Sequence, residues 1–319
     1  MPTILITGTT SGIGEAAVHA FRGAGWSVLA TYRPERGNPW QGADGVEGLP
    51  LELRDEASIS ALIERVAELD VLYCNAGTVL AGPVETCTDK QVRELYQTNV
   101  FGHLALVRGL LPTLRRSALR EEGRAGILWT CSITSEVTMP FMTHYSATKG
   151  AIRAYAEGLN IELDAQGLWS KALFPAMVAT PIYEKFRFAP SFPEPYHEAW
   201  SHLANQVDGM RGSPPEDVAQ VALEAATDDE PDRVRYHPTA DAKAVPAARR
   251  TLGQGAFWKL YRESVLRTPG KLVELALKAI APSDQIPIRM TLAPQAVVEG
   301  IEPGDPAHPD QDAKHEAAE

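Results

Sequence analysis

The run Tyr145-Ser146-Ala147-Thr148-Lys149 sets a phenol and an ammonium four residues apart. On a helix that spacing puts both side chains on one face, so they can meet in one pocket. A free phenol titrates at about 10 and is a weak base at neutral pH. An ammonium beside it favours the phenolate and lowers that value. The pair could therefore trade a proton with an alcohol or carbonyl oxygen. A Tyr/Lys pair at this spacing is also common as plain structure, so its weight depends on what accompanies it. Ser132 stands 13 positions before Tyr145, at the end of an apolar run. A hydroxyl there can hydrogen-bond the same oxygen and stabilise charge developing on it. Ser135 is the competing serine. The cysteines Cys74, Cys87 and Cys131 form no CxxC pair and no Cys/His cluster at ligand spacing, so no metal is expected.

A second chemical signal lies near the N-terminus, in Thr7-Gly8-Thr9-Thr10-Ser11-Gly12-Ile13-Gly14. A pyrophosphate needs backbone N–H groups presented without side chains in the way, and the positive end of a helix dipole. Glycine at 8, 12 and 14 permits the tight turn and the close approach. Gly8, Thr10, Ser11, Gly12, Ile13 and Gly14 are thus candidate cofactor contacts. The next apolar run ends Ala30-Thr31-Tyr32-Arg33, with no Asp or Glu at 31–33. An acidic side chain there would accept from the ribose 2′-OH of NAD, whereas a cation suits the 2′-phosphate of NADP. Arg33 offers a planar fork of donors for a phosphate, and Ser11 could add a hydroxyl. NADP(H) is favoured, with NAD(H) possible.

Positioning these groups requires a scaffold, and the chain alternates short apolar runs with longer amphipathic ones. The strand candidates are Thr3–Thr7, Ser27–Tyr32, Leu49–Leu53, Val71–Cys74, Gly126–Cys131, Lys171–Phe174 and Val234–Tyr236. Continuous apolar runs fit parallel strands covered on both faces. Helices are expected from Gly12, over Glu56–Leu69, over Asp89–Arg116 as more than one helix, and over His144–Ala165. The alternation indicates an α/β fold, a doubly wound parallel sheet of about seven strands with helices on both faces. The segment Pro181–Pro215 is rich in proline and in aromatics, namely Tyr183, Phe186, Phe188, Phe192, Tyr196 and Trp200. It reads either as a cover over the mouth of the nucleotide crevice or as a helical hairpin over the sheet. Phe257–Val265 and Lys271–Ile280 read as short helices, and the acidic stretch after 303 as disorder.

These motifs together resemble the short-chain dehydrogenase/reductase superfamily. Its TGxxxGIG loop is matched by Thr7-Gly8 and Gly12-Ile13-Gly14, its NAG motif by Asn75-Ala76-Gly77, and its YxxxK pair by Tyr145 and Lys149. The Ser132–Tyr145 spacing is the one the superfamily shows. Glu52 in Leu51-Glu52-Leu53 stands where the family has an adenine-binding Asp. Asn99, in Thr98-Asn99-Val100-Phe101-Gly102, matches the family's relay asparagine, which holds a water linking the lysine to solvent. Pro175-Ala176-Met177-Val178-Ala179-Thr180 resembles PGxVxT with alanine for glycine. The resemblance covers about residues 3–182.

It implies a Rossmann-like fold over 1–268, with 181–215 covering the substrate and 269–319 as an extension. It implies a nicotinamide-dependent oxidoreductase that moves a hydride between the cofactor and a ketone or secondary alcohol. Ser132, Tyr145, Lys149 and Asn99 would be catalytic. Glu52, Leu53, Asn75, Ala76, Gly77, Pro175, Val178 and Thr180 would join the glycine loop, Arg33, Tyr145 and Lys149 around the cofactor. The aromatic segment hints at an apolar or ring-containing substrate. A dinucleotide-binding redox sensor without turnover is the alternative, although it would have no use for the Ser, Tyr and Lys together. Family members pair through the helices at 89–116 and 144–165, which suggests a homodimer or homotetramer.

The composition agrees. A net charge of −11 over 319 residues argues against a nucleic-acid partner or an anionic membrane surface. No apolar stretch long enough to span a bilayer is present, the N-terminus has no signal-peptide pattern, and reduced cysteines suit the cytoplasm.

Overall fold

The computed structural model describes residues 1–120, 125–207, 211–266 and 286–287. In chain order the elements begin β1 (Thr3–Ile6), α1 (Gly12–Gly23), β2 (Ser27–Tyr32), β3 (Val46–Pro50), α2 (Glu56–Arg65), β4 (Val71–Cys74) and β5 (Leu80–Ala81). Next come α3 (Asp89–Tyr96), a π-helical turn over Gln97–Phe101, α4 (Gly102–Ala118), β6 (Ala125–Thr130), α5 (Thr143–Glu162) and β7 (Leu168–Leu173). A 3₁₀ turn at Pro181–Lys185 leads to β8 (Arg187–Phe188), α6 (His197–Val207), β9 (Arg211–Gly212), α7 (Pro215–Thr227) and β10 (Arg235–Tyr236). The described chain closes with α8 (Ala240–Leu252), α9 (Gln254–Leu266) and β11 (Ile286–Pro287).

Seven strands form one sheet in the order β10-β7-β6-β4-β1-β2-β3, and every neighbouring pair is parallel. The chain moves outward from β1 on one side, then returns to place β4 on its other side. That reversal opens a crevice beyond the carboxyl ends of β1 and β4, where ligands bind in open α/β sheets. β9 pairs with β11, and β5 with β8, as separate two-stranded ribbons.

Alternate side chains along each strand feed two cores. Leu5, Leu72 and Cys74 point to one face, where Ile59 and Leu62 of α2, Leu106 and Leu110 of α4, and Ile152 of α5 cover them. Ile4, Ile6 and Tyr73 point to the other, covered by Ala17 and Phe21 of α1 and Ala222 of α7. All four residues of β4 are buried, as a strand packed on both faces requires.

The expected elements recur with shifted ends. Leu49–Leu53 reads as a strand, but β3 occupies Val46–Pro50. β3 is an edge strand paired only with β2, so polar residues enter it, while buried Leu51 and Leu53 continue past its end into the crevice wall. α2 stops at Arg65 because Val66 adopts an extended conformation and turns toward β4. The stretch over Asp89–Arg116 divides into α3 and α4 at the π turn. The helix expected over Lys271–Ile280 and the stretch after 303 lie outside the described residues.

The segment after Thr180 does two things. Its first residues, Ile182, Tyr183, Lys185 and Arg187, line the crevice. Its later ones build a satellite core of Ala189, Phe192, Trp200, Leu203 and Ala204, with Phe141 and Phe188 against it. Phe141 has φ 61°, the one non-glycine residue with positive φ among those described. Its ring lies 5.4 Å from Trp200 and 6.2 Å from Phe192, centroid to centroid. Two residues later α5 begins.

Candidate active site

The three glycines of the first loop are fixed by close approach. A Cβ at Gly14 would lie 2.2 Å from the Gly8 carbonyl oxygen, and one at Gly12 would lie 2.9 Å from Thr180 Cγ2. Ser11 holds the N-cap position of α1, yet its side chain makes no capping bond, so the first-turn N–H groups remain available to an anion.

Behind the loop, one hydroxyl ties the end of β1 to the loop after β4 and to α4. Thr7 Oγ accepts from the N–H groups of Asn75 and Ala76, each at 2.9 Å. Its own proton can reach His103 Nε2 at 3.1 Å. His103 Nδ1 lies 3.2 Å from the Asn99 carbonyl oxygen, which can only accept. The ring proton therefore sits on Nδ1, and Nε2 accepts from Thr7. Burial holds this imidazole down to about 4, with the Lys149 charge adding to that effect and the Asn99 bond opposing it, so the ring is neutral. Asn75 completes the joint, donating from Nδ2 to the Thr7 carbonyl at 3.0 Å and accepting from Thr130 Oγ at 3.0 Å.

Ser132, Tyr145 and Lys149 converge on the crevice, whose open volume is about 440 Å³. Ser132 lies two residues beyond β6 and accepts from the Thr134 N–H at 3.2 Å. Ser135 does not reach the crevice wall; its hydroxyl turns back to the Ser132 carbonyl at 2.6 Å. Tyr145 and Lys149 lie one turn apart on α5, with the ammonium 5.8 Å from the phenol ring centroid. Lys149 Nζ donates to the Thr130 carbonyl at 2.7 Å. Burial lowers this ammonium to about 8, the Cys131 thiol opposing. The phenol departs from the expectation of a lowered pKa. Burial pushes Tyr145 above its ordinary value, and only the neighbouring Ser132 hydroxyl works the other way.

Asn99 is buried behind the crevice wall, in the π turn. Its amide grips Thr78 from both sides, accepting from the Thr78 N–H at 2.9 Å and donating to its carbonyl at 3.0 Å. It also donates to Thr148 Oγ at 3.1 Å, joining the loop after β4 to α5. Burial with partners accounts for an asparagine inside a helix, and π turns are frequent at functional sites.

At the other end of the crevice, cations gather beside Ser11. Arg33 pairs with Glu35 at 3.3 Å. Lys185 Nζ lies 3.5 Å from Ser11 Oγ. Partial burial lowers the Lys185 ammonium, and the charges of Arg36 and Arg33 lower it further. Among the described residues neither Arg36 nor Lys185 has an ion-pair partner. Glu52 lines the crevice too, with Oε1 held by Arg54 Nε at 3.1 Å. Partial burial opposes its ionisation, but Arg54 keeps the carboxyl below its usual value.

Residues 2–189, more than half of the chain, match the family model described as short chain dehydrogenase. The chain belongs to the short-chain dehydrogenase family. It is 30% identical over 294 residues to the 17-beta-hydroxysteroid dehydrogenase type 1 of Homo sapiens, covering 84% of this chain and 87% of that one. An uncharacterized oxidoreductase of Bacillus subtilis is 25% identical over 279 residues, covering 82% of this chain and 96% of its own. Two solved structures share the fold. A short-chain dehydrogenase from Streptomyces avermitilis superposes with a TM-score of 0.67 at 24% identity, covering 83% of this chain and 100% of its own. The 3-ketoacyl-(acyl-carrier-protein) reductase from Brucella melitensis, complexed with NADH, gives 0.63 at 22%, covering 74% and 96%.

As a short-chain dehydrogenase the protein is an NAD(P)-dependent oxidoreductase, and its crevice fits such a cofactor. The glycine cradle leaves no room for a Cβ at position 8, 12 or 14, as a close backbone approach to pyrophosphate demands. Gly8, Thr10, Ser11, Gly12, Ile13, Gly14, Arg33, Glu52, Leu53, Asn75, Ala76, Gly77, Pro175, Val178 and Thr180 all line the crevice. Asn99 alone among the expected site residues does not. No group of ligating side chains suited to a metal occurs among the described residues. No helix of the described residues is long and apolar enough to cross a membrane.

Sequence reasoning missed several residues. Thr7 and His103 fix the switch point, and no motif flags His103, which is 96 positions from its partner Thr7. Trp40 donates from Nε1 to Thr9 Oγ at 2.8 Å, fastening the segment between β2 and β3 to the glycine loop. Arg36 was detectable, lying three residues after Arg33. Lys185 and Tyr183 reach the crevice only through folding of the segment after Thr180.

Proposed function

We propose that the protein is an NADP(H)-dependent carbonyl reductase or secondary-alcohol dehydrogenase. What carries this reading is one crevice with two unlike ends. Ser132, Tyr145 and Lys149 converge at one, and at the other Lys185 approaches the Ser11 hydroxyl with Arg36 and Arg33 near it. A phosphate monoester carries about −1.5 to −2 charges, which suits a place where Arg33 pairs with Glu35, Arg36 and Lys185 make no ion pair among the described residues, and the Glu184 and Glu52 carboxylates act on Lys185 and Arg33. NAD, with no 2′-phosphate, would leave Arg36 and Lys185 without an ion-pair partner among the described residues.

When bound, the nicotinamide supplies the hydride or takes it up. In the reductive direction Ser132 and Tyr145 hydrogen-bond the substrate oxygen, and Tyr145 gives it a proton. Ser132 stabilises the charge that builds on that oxygen. The phenol, raised by its desolvation, starts as the neutral acid, the form a reductase needs before proton transfer. Lys149 binds ribose hydroxyls with the donors left by Thr130, and its nearly neutral pKa lets it pass a proton inward. Asn99 belongs to the proton path through its hold on Thr78 and Thr148, which flank the lysine.

Residues 1–268 form the catalytic unit in this reading, and 269–319 an extension. An apolar, ring-containing substrate accords with the similarity to a 17-beta-hydroxysteroid dehydrogenase. The aromatic composition of 181–215 supports it less, since Tyr183 is the one of its six aromatics that lines the crevice. Exposed Phe101, Tyr155 and Ile161 on the family's pairing helices favour a homodimer or homotetramer. Three free cysteines favour the cytoplasm.

Tyr145→Phe tests the chemistry. Turnover of a ketone should drop about 10²–10⁴-fold while NADPH binding, followed by fluorescence titration, is kept. An undiminished rate would refute the assignment. Arg33→Ala tests the cofactor. It should raise the Kd for NADPH about 10- to 100-fold, the loss of a charged hydrogen bond, and barely change that for NADH.

A further inference from the structure

We propose that Lys185 is a specificity-determining residue that binds the 2′-phosphate of NADP(H) and, through the short turn it ends, positions Tyr183 at the reacting end of the crevice. The proposal rests on the NADP(H) reading above.

The turn Pro181–Lys185 lies across the crevice between its two chemical ends. Its start is wedged against the glycine loop, where only the missing Cβ of Gly12 leaves room for Thr180. Its far side is anchored by β8, where the N–H groups of Arg187 and Ala189 donate to the carbonyls of Val79 and Ala81 at 3.1 and 2.8 Å. Pro181 fixes its own φ and stiffens the first turn position. A 3₁₀ turn repeats every three residues, so side chains two apart point in different directions. Tyr183 and Lys185 stand in that relation, and both line the crevice. The Tyr183 hydroxyl donates to Met177 Sδ at 3.7 Å, and the Val178 backbone lies near enough to oppose the rise that burial gives this phenol. Tyr183 is near enough to Tyr145 to help raise that phenol, and both line the crevice.

Lys185 is held weakly. Its one polar contact is the 3.5 Å approach to Ser11 Oγ; Arg36 and Arg33 repel it, and Glu184 attracts it less strongly. A dianion set among the three cations reverses the sign of that interaction. It draws Lys185 inward, and the stiff turn carries Tyr183 with it. NAD(H) presents a 2′-hydroxyl at the same point and exerts no such pull. The residue that reads the phosphate thereby also shapes the place where the substrate reacts.

Amide hydrogen exchange on the full chain tests this without turnover. The probes are NADPH, NADH, adenosine 2′,5′-bisphosphate and 5′-AMP, each at saturation. The reporting amides are those of Arg187, Ala189 and Val178, the last because the Val178 backbone lies beside the Tyr183 hydroxyl. NADPH and adenosine 2′,5′-bisphosphate should slow their exchange about tenfold beyond NADH and 5′-AMP. Lys185→Met, an exposed position, should erase the difference, whereas Arg36→Ala should keep it once the ligand is saturating. If NADPH binds more tightly than NADH yet protects these amides no better, or Lys185→Met keeps the protection, the coupling is overturned and the NADP(H) reading stands. If Arg187 and Ala189 slow while Val178 does not, Lys185 does not position Tyr183 and the proposal falls. Equal affinity of the wild type for NADPH and NADH overturns both readings.

Discussion

Lys149 combines burial with a single backbone partner, and the two have opposite effects on its proton. Burial lowers the ammonium to about 8, and the donation to Thr130 holds the charged form in place. Cofactor capture by the free enzyme uses that charged form. The kcat/KM for NADPH should therefore be flat below about pH 8 and fall about tenfold per unit above it. Initial rates from about pH 6 to about pH 10 would check this, and a profile flat throughout would show that Lys149 keeps its proton by other means. At this scale the sequence is most informative about groups whose partners are close in the chain. Tyr145 and Lys149 are one turn apart, and Ser132 sits at a fixed spacing, so their meeting can be read directly. Lys185 meets Ser11 across 174 positions, and no local pattern encodes that contact.

Between residues and the whole molecule, the joint at the switch point depends on the break between α3 and α4. The π turn admits an extra residue into the helix, which sets the Asn99 carbonyl toward His103 and its amide toward Thr78. That more than one helix occupies Asp89–Arg116 follows from its length. The π turn does not, because the apolar periodicity continues on both sides of it. His103 gives the joint an acid sensitivity. Its folded pKa, about 4, lies below the ordinary 6.5, so the fold binds the neutral ring. The contribution is complete above about pH 6.5, declines as the pH falls, and is lost below about pH 4. It amounts to at most roughly 3 kcal/mol. His103→Gln should remove most of that slope, which denaturant titrations at several pH values would measure. An unchanged slope would assign the acid sensitivity to other groups.

Across the whole molecule the parallel sheet of about seven strands and its two covered faces follow from the alternation of apolar runs with amphipathic ones. The strand ends do not, because Leu51 and Leu53 are buried as crevice wall and carry the same signal as strand residues. The aromatic segment after Thr180 left two readings open, since composition does not say which rings face a cavity and which face each other. Most face each other. Trp200 lies at the centre of that satellite core, 4.7 Å from Phe192 and 5.4 Å from Phe141. Trp200→Ala should cost about 3–5 kcal/mol of the stability of this region. It should depress kcat more than NADPH affinity, because the glycine loop lies elsewhere. Thermal melts with a cofactor titration would show it, and equal losses in both would argue against a local effect.

Phe141 keeps a backbone conformation that side chains other than glycine seldom adopt, and the rings of Phe192, Tyr196 and Trp200 surround it. Four residues on is Tyr145. Anyone retailoring substrate preference by grafting the 181–207 stretch of another reductase would remove the braces of that contorted peptide. The transplant would then disturb the proton donor itself, unless position 141 were exchanged to suit the new lining.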